Sequence, residues 1–361
     1  MAERPSRRSE PSGAPTKRPF LSGVLPRLVA SVLIAVGFVW LLAKGGLPLL
    51  PSRDALAQLS VQSVLAFVAL QVLVSLQRVY RWVYLLRPIA PKVRPLRVMG
   101  IGFVGFSAIF LAPLRMGEVV RPYLLAQDGE VTFMQGAGTI FAERVIDGVM
   151  LMTLTCVAMT LAPTMSPLPT SLGDLPLPLM TVRAAVYSAT TAFIGLFLAM
   201  VAFYAAREPA RRVTHRVVGL VSKKAASWAS ATLERIADGL RFLPSRSHFT
   251  SFVGVTASYW GCTVLSIWVL LRGVGLPATL TQACTVLGVL GLGSIVPAGP
   301  GMFGAYQIAG FCALAMFFPL EQVRVEGAAF IFVTYAVQLL LNSLQFLAGF
   351  GLMAKVPAAS P

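Results

Sequence analysis

Six charged side chains stand in otherwise apolar or weakly polar sequence. Arg115, Glu118 and Arg121 follow one another at intervals of three within 113–122, and Glu143, Arg144 and Asp147 fall within five residues. On a helix either spacing gathers the charges on one face. A guanidinium offers a planar set of donors that matches a phosphate, so Arg115, Arg121 and Arg144 are candidate ligands for a phosphate-bearing headgroup. Glu118, Glu143 and Asp147 would then orient them or exchange protons. The competing reading is structural: the six form ion pairs that lock a hairpin, or they sit at a membrane interface. At the bilayer centre each charge costs about 2.5–3.5 kcal/mol on insertion scales, so charges at that depth must pair or face water.

A second group is built from backbone and carries no charge. Pro297, Gly299, Pro300, Gly301 and Gly304 interrupt an apolar run. Proline removes amide donors and glycine permits positive φ, so the helix must break there. A helix restarting near Gly301 would aim its N-terminal amides into the membrane, where they could meet an anion, and the break could serve as a hinge-like gate. A purely structural turn fits the same residues. No Gly-Lys-Ser/Thr follows, so this is not a nucleotide-binding loop. Gln338, Asn342 and Gln345, with Thr334, form a polar stripe near the C-terminus, and Gln71, Ser75 and Arg78 form a weaker one. Helix–helix hydrogen bonds account for such stripes as well as substrate contact does.

Metal and cofactor chemistry find no foothold. Cys156, Cys262, Cys284 and Cys312 lie in apolar segments without ligand spacing and read as small buried hydrophobes, while His215 and His248 lie in a basic polar stretch and read as solvated. No metal, cofactor or disulfide framework is expected.

The elements that must hold these residues are membrane helices. Of 361 residues 56% are hydrophobic and 12% charged, with a mean hydropathy of +0.76. That is far more apolar than a soluble core requires. The net charge of +16 is distributed between apolar runs and does not form one patch, so it reads as a topology signal and not as a nucleic-acid surface. Residues 1–24 read as a disordered basic tail, and 353–361 as a short second tail. Arg7 and Arg8 invite a twin-arginine reading, but an uncleaved first span fits better.

A span needs roughly 20 apolar residues. Six segments qualify: 25–43, 61–77, 145–162, 182–205, 249–271 and 327–352. Lys and Arg are concentrated in the N-terminal tail, in 78–97 and in 207–246, whereas 163–181 has none, which places the first three and both termini in the cytoplasm. Parity then requires 99–141 and 276–318 to enter the membrane and return. The expected fold is therefore an all-α integral membrane protein of an inner or plasma membrane. It has about six full transmembrane helices plus two re-entrant, broken helical hairpins of opposite orientation, as in transporters built on inverted repeats. Segment 206–248 reads as amphipathic, with Val213, Val217, Leu220, Val221 and Trp228 against a basic face, lying near anionic headgroups.

The ordered set Pro113-x-Arg115-x-Gly117-Glu118-x-x-Arg121, Glu143-Arg144-x-x-Asp147 and Pro297-x-x-Pro300-Gly301-x-x-Gly304 resembles the lysylphosphatidylglycerol synthase transmembrane region, a flippase-like family, over residues 25–352. The resemblance implies movement of a lipid between leaflets: an anionic phospholipid or a polyprenyl-phosphate-linked lipid. Bifunctional members carry a soluble aminoacyltransferase domain after this region. This chain is expected to lack it and to make no aminoacylated lipid. Membrane lipids are the expected partners, with a membrane-bound glycosyltransferase or lipid-modifying enzyme as a further one. An intramembrane transferase acting on a lipid-linked sugar, or an assembly partner of one, remains the alternative.

Overall fold

The computed structural model describes residues 20–112, 117–206, 208–209, 212–213, 216, 223–243, 245–296 and 298–356. Arg115, Pro113 and Pro297 lie outside these residues, as do Val217, Leu220, Val221, His215 and most of both tails. Among the described residues the chain is helical and contains no strand.

Twelve helices suffice to place the site. They are α1 (Phe20–Lys44), α2 (Arg53–Ala57), α3 (Val61–Leu86), α4 (Pro95–Leu111), α5 (Gly117–Gln127), α6 (Phe133–Leu161), α7 (Met180–Ala205), α8 (Lys223–Asp238), α9 (Arg246–Gly273), α10 (Leu280–Gly293), α11 (Ala305–Ala315) and α12 (Leu320–Lys355). Among the described residues five of these, α3, α6, α7, α9 and α12, are long and apolar enough to cross a bilayer. The expected span 25–43 falls in α1, whose apolar described part is the shorter Leu28–Lys44. The α12 helix is not uniform, since Val323–Gly327 forms a π-helical turn.

Two boundaries differ from expectation, and both matter for the site. The span expected to end at residue 77 continues to Leu86, because Trp82, Val83, Leu85 and Leu86 extend the apolar face past Arg78 and Arg81. The return limb expected over 116–141 is split: α5 ends at Gln127 and α6 begins at Phe133. Thr132 caps α6, accepting from the Gln135 amide while the Gln135 side chain accepts from Thr132 N–H. Glu143, Arg144 and Asp147 therefore do not open a span. They lie in the middle of a 29-residue helix.

Two short helix pairs result, α4 against α5 and α10 against α11. α5 starts with Gly117, where a methyl group would stand 2.0 Å from Ile109 N, so the two limbs touch backbone to backbone. In the second pair α10 ends at Gly293 and α11 starts at Ala305, four residues later than the helix start expected near Gly301. Gly301 and Gly304 take φ of 71° and 94°, which breaks the helix before it can form. The pairs converge on Tyr335 of α12, whose ring centroid lies 6.0 Å from Phe110 at the end of α4 and 5.7 Å from Phe303 in the second turn.

The apolar interior is divided. One core joins α10, α11 and the first half of α12 to the second half of α6, and another joins the end of α3 to α4, α9, the first half of α6 and Leu240 and Phe242 just after α8. They meet near Arg78–Arg81 of α3 and Glu143–Asp147 of α6, and the polar residues are collected at that level. At the outer edge of the second core, α8 lies across α6 at Gly138 and Gly239. A methyl on either would stand 2.6 Å from a backbone carbonyl oxygen of the other segment.

Candidate functional site

Arg81 is the hub of the charged cluster. From α3 it donates to both carboxylate oxygens of Asp147 and, at 3.0 Å, to Glu143 Oε1. Glu143 also accepts from Arg121 of α5 at 2.7 Å and has Arg144 at 3.7 Å. The four-residue interval between Glu143 and Asp147 turns both carboxylates toward α3. Arg81, Arg121 and Glu143 are 0% exposed. Burying such ions is tolerable only when each is paired, because the desolvation of an unpaired one amounts to several kcal/mol.

Aromatic rings complete the cage. The Arg121 guanidinium lies 4.0 Å from the Phe106 centroid and 5.2 Å from Trp82, and Arg81 lies 4.7 Å from Tyr259. Gly105 makes room for Arg121, since a methyl there would stand 2.0 Å from its Cγ. Trp82 Nε1 donates to Thr139 Oγ1 at 3.1 Å and pins α3 to α6 one turn from Glu143.

Arg78, one turn before Arg81, is placed differently. Its guanidinium packs 4.1 Å from the same Phe106 ring and has no hydrogen bond or ion pair among the described residues. It borders a cavity of about 480 Å³. Arg144, Glu118 and Asp147 border the same cavity, and Arg144 Nε and Nη2 have no hydrogen-bond partner among the described residues. Trp260 Nε1, on the cavity wall, is another buried donor without an acceptor among the described residues.

The second pair also borders the cavity, through Gly291, Ser294, Met302 and Tyr306. Gly299, Pro300, Gly301 and Gly304 are not among the residues that border it; Gly299 and Gly304 pack against α1, and Gly301 lies against Tyr335. Ser31 donates to Ala298 O at 3.2 Å, and methyls at Gly299 and Gly304 would meet Ala35 at 2.5 Å and Phe38 at 2.2 Å. The Gly304 amide, one of those expected to face an anion, donates instead to Gln307 Oε1 at 2.7 Å.

The two polar stripes meet across the cavity. Gln338 donates to Gln71 Oε1 at 3.1 Å, Gln71 to Ser266 at 2.9 Å, Gln345 to Ser75 at 2.9 Å, and Asn342 to Gln338 O at 2.8 Å. α12 and α3 are thus joined rung by rung, and all five side chains Gln71, Ser75, Gln338, Asn342 and Gln345 border the cavity.

The structure thus brings Glu118, Arg144 and Asp147 to one cavity with the second turn and the C-terminal stripe, and places Arg121 and Glu143 in the buried network behind its wall. Sequence reasoning gave Arg78 a secondary place and counted Arg81 with a basic loop. The available signal was the apolar run Trp82–Leu86, which carries the helix beyond both arginines. Among the described residues no group of His, Cys, Asp or Glu could hold a metal, and the four cysteines are free.

The sequence profile of the family described as the lysylphosphatidylglycerol synthase TM region matches residues 28–344. The chain belongs to that family. It is also similar to the glycosyltransferase AglD of Haloferax volcanii, 24% identical over 296 residues that cover 76% of this chain and 46% of that protein. The chain thus spans about half the length of this curated relative. No solved structure matches. Family membership and the five apolar helices identify a multi-pass membrane protein, and the two likenesses together point to a role related to membrane lipids.

Proposed function

We propose that this protein moves a lipid between the leaflets of an inner or plasma membrane, taking an anionic phospholipid or a polyprenyl-phosphate-linked lipid by its headgroup while the tails stay in the bilayer. The observation that carries the reading is the cavity of about 480 Å³, a volume suited to a headgroup and not to a whole lipid, bordered by Arg78 and Arg144 and, from the second helix pair, by Gly291, Ser294, Met302 and Tyr306. In this reading α4–α5 and α10–α11 are re-entrant hairpins dipping in from opposite faces, and both termini are cytoplasmic. Arg144 grips the phosphate from the cavity wall, and Arg115 is a further candidate ligand for it. Arg121, Glu143 and Asp147 hold the wall in place, Glu118 balances its charge, and the turn 299–304 serves as the gate.

The test is leaflet exchange of fluorescent phospholipid and polyprenyl-phosphate reporters in liposomes holding the purified chain. Wild type is expected to exchange one of them, and an equally folded Glu118→Gln variant to exchange it at least about ten-fold more slowly, as removal of one charge-assisted contact implies. No exchange by folded wild type across a broad lipid panel would overturn the proposal. The relative named as a glycosyltransferase favours a second reading, a transferase acting on a lipid-linked sugar or a membrane partner of such an enzyme. Transfer of labelled sugar by the purified chain, or only in the presence of a glycosyltransferase, would support it.

A further inference from the structure

We propose that the cavity selects phosphodiester lipids whose headgroup carries uncharged hydroxyls, and that Arg78 joins Arg144 in taking the phosphate. The proposal deepens the lipid-headgroup reading above and rests on it.

The first argument is a count of charge. Arg78, Arg81, Arg121 and Arg144 face Glu118, Glu143 and Asp147, four cations against three anions among the described residues of the cluster. The surplus can be located. Asp147 is held by Arg81, Glu143 is shared by Arg81, Arg121 and Arg144, and Glu118 has an interaction of its own. Arg78 is left with the face of Phe106 and with no carboxylate in hydrogen-bond or ion-pair contact among the described residues, Glu143 acting on it only through space. The Arg144 guanidinium, 5.6 Å from the same ring, brings two further nitrogens without a hydrogen bond among the described residues, Nε and Nη2, the latter 3.7 Å from Glu143. Arg78, Arg121 and Arg144 put three guanidinium groups on the Phe106 ring, and Glu143, the carboxylate beside them, is already shared with Arg81, so a further anion beside Arg78 and Arg144 would relieve their mutual repulsion. A phosphate, with several acceptor oxygens, matches their donors. An ammonium group in that position would meet two like charges.

The second argument is the polarity of the wall that continues from Arg78. Gln71, Ser75 and Arg78 follow at intervals of four and three on one face of α3, over about 10 Å of helix. Gln338 and Gln345 of α12 bond to the first two. These bonds consume amide donors and fix the side chains. Asn342 Oδ1 and Gln345 Oε1 have no hydrogen-bond donor among the described residues. The cavity therefore changes from charged donors at Arg78 to neutral acceptors a few ångströms along. A phosphodiester followed by hydroxyl groups presents the complementary order, acceptors and then donors. Glycerol, a polyol and a sugar share that chemistry. Tyr259 and Trp260, edge to face at 4.7 Å, stand on the wall as apolar platforms for the ring or carbon face of such a group.

The experiment is calorimetric titration of the purified full chain in detergent with three short-chain lipids: phosphatidylglycerol, phosphatidylmethanol and phosphatidylethanolamine. Wild type is expected to bind them in that order of decreasing affinity. Arg78→Gln should weaken phosphatidylglycerol about ten-fold or more, and Arg78→Lys, which keeps the charge and loses the fork, should fall between. Asn342→Leu combined with Gln345→Leu should lower phosphatidylglycerol to the level of phosphatidylmethanol and leave phosphatidylmethanol unchanged, a pattern that misfolding cannot produce. Equal binding of phosphatidylglycerol and phosphatidylethanolamine by wild type, equal binding of phosphatidylglycerol and phosphatidylmethanol, or an unchanged affinity in folded Arg78→Gln would each overturn the proposal. Selective binding without leaflet exchange in liposomes would leave it standing and remove the translocation reading instead.

Discussion

The two helix pairs reach the same cavity by opposite means. α4–α5 is positioned by charge: Arg121 on α5 reaches Glu143 on α6, which in turn is tied to Arg81 on α3. α10–α11 lies in a stretch without a single Asp, Glu, Lys or Arg between Arg272 and Glu321, and its turn is set by positive φ and by the close approach of α1. The difference is one of directionality. An ion pair names its partner, so the first pair is fixed to particular residues on other helices. Excluded volume names only a shape, so the second pair depends on what is missing from its side chains.

That contrast can be broken from either side. The largest effect is expected for Glu143→Gln, which leaves Arg121 and part of Arg81 unpaired at zero exposure; a loss of about 3–5 kcal/mol should appear in denaturant unfolding in micelles. If the loss is under about 1 kcal/mol, the charges do not position the first pair. Gly304→Ala should cost about 1–3 kcal/mol for the backbone at φ 94°, with a further steric cost from Phe38. A neutral outcome would mean that the turn can relax away from α1. The smallest effect belongs to the ladder between α3 and α12: Gln345→Leu should cost only about 0.6 kcal/mol of stability, the average for a hydrogen bond between membrane helices. A large stability loss there would place the stripe with the folding elements and away from the ligand.

Much of the framework could be read from the chain, because membrane helices must be long and apolar and five such helices are present. The breaks between α4 and α5 and between α10 and α11 were both visible, the first as Pro, Gly and charge and the second as Gly and Pro alone. What escaped is the depth of Arg78 and Arg81. A hydropathy reading ends a span at the first arginine next to a basic loop, and only a partner 66 residues away, Asp147, explains why α3 can carry Arg81 inward. Glu143 and Asp147 were recognised as a pair on one face, but their helix was begun too late, since the polar residues from Gln135 to Thr139 resemble a loop until Thr132 is seen to cap them. Each polar stripe was legible as a stripe. That Gln338 and Gln345 would find Gln71 and Ser75 was not, because nothing in a periodic pattern says which helix lies opposite.

The crossing of α8 over α6 at Gly138 and Gly239 has a mechanical consequence. With carbonyl oxygens close enough to exclude even a methyl group, and Gln135 donating to Asp238 at 3.4 Å, the two segments cannot slide past one another independently. Glu143 lies five residues beyond Gly138, about 8 Å along the same rod. α8 is therefore a handle on the charged wall: a displacement of α8 has to carry α6, and Glu143 with it.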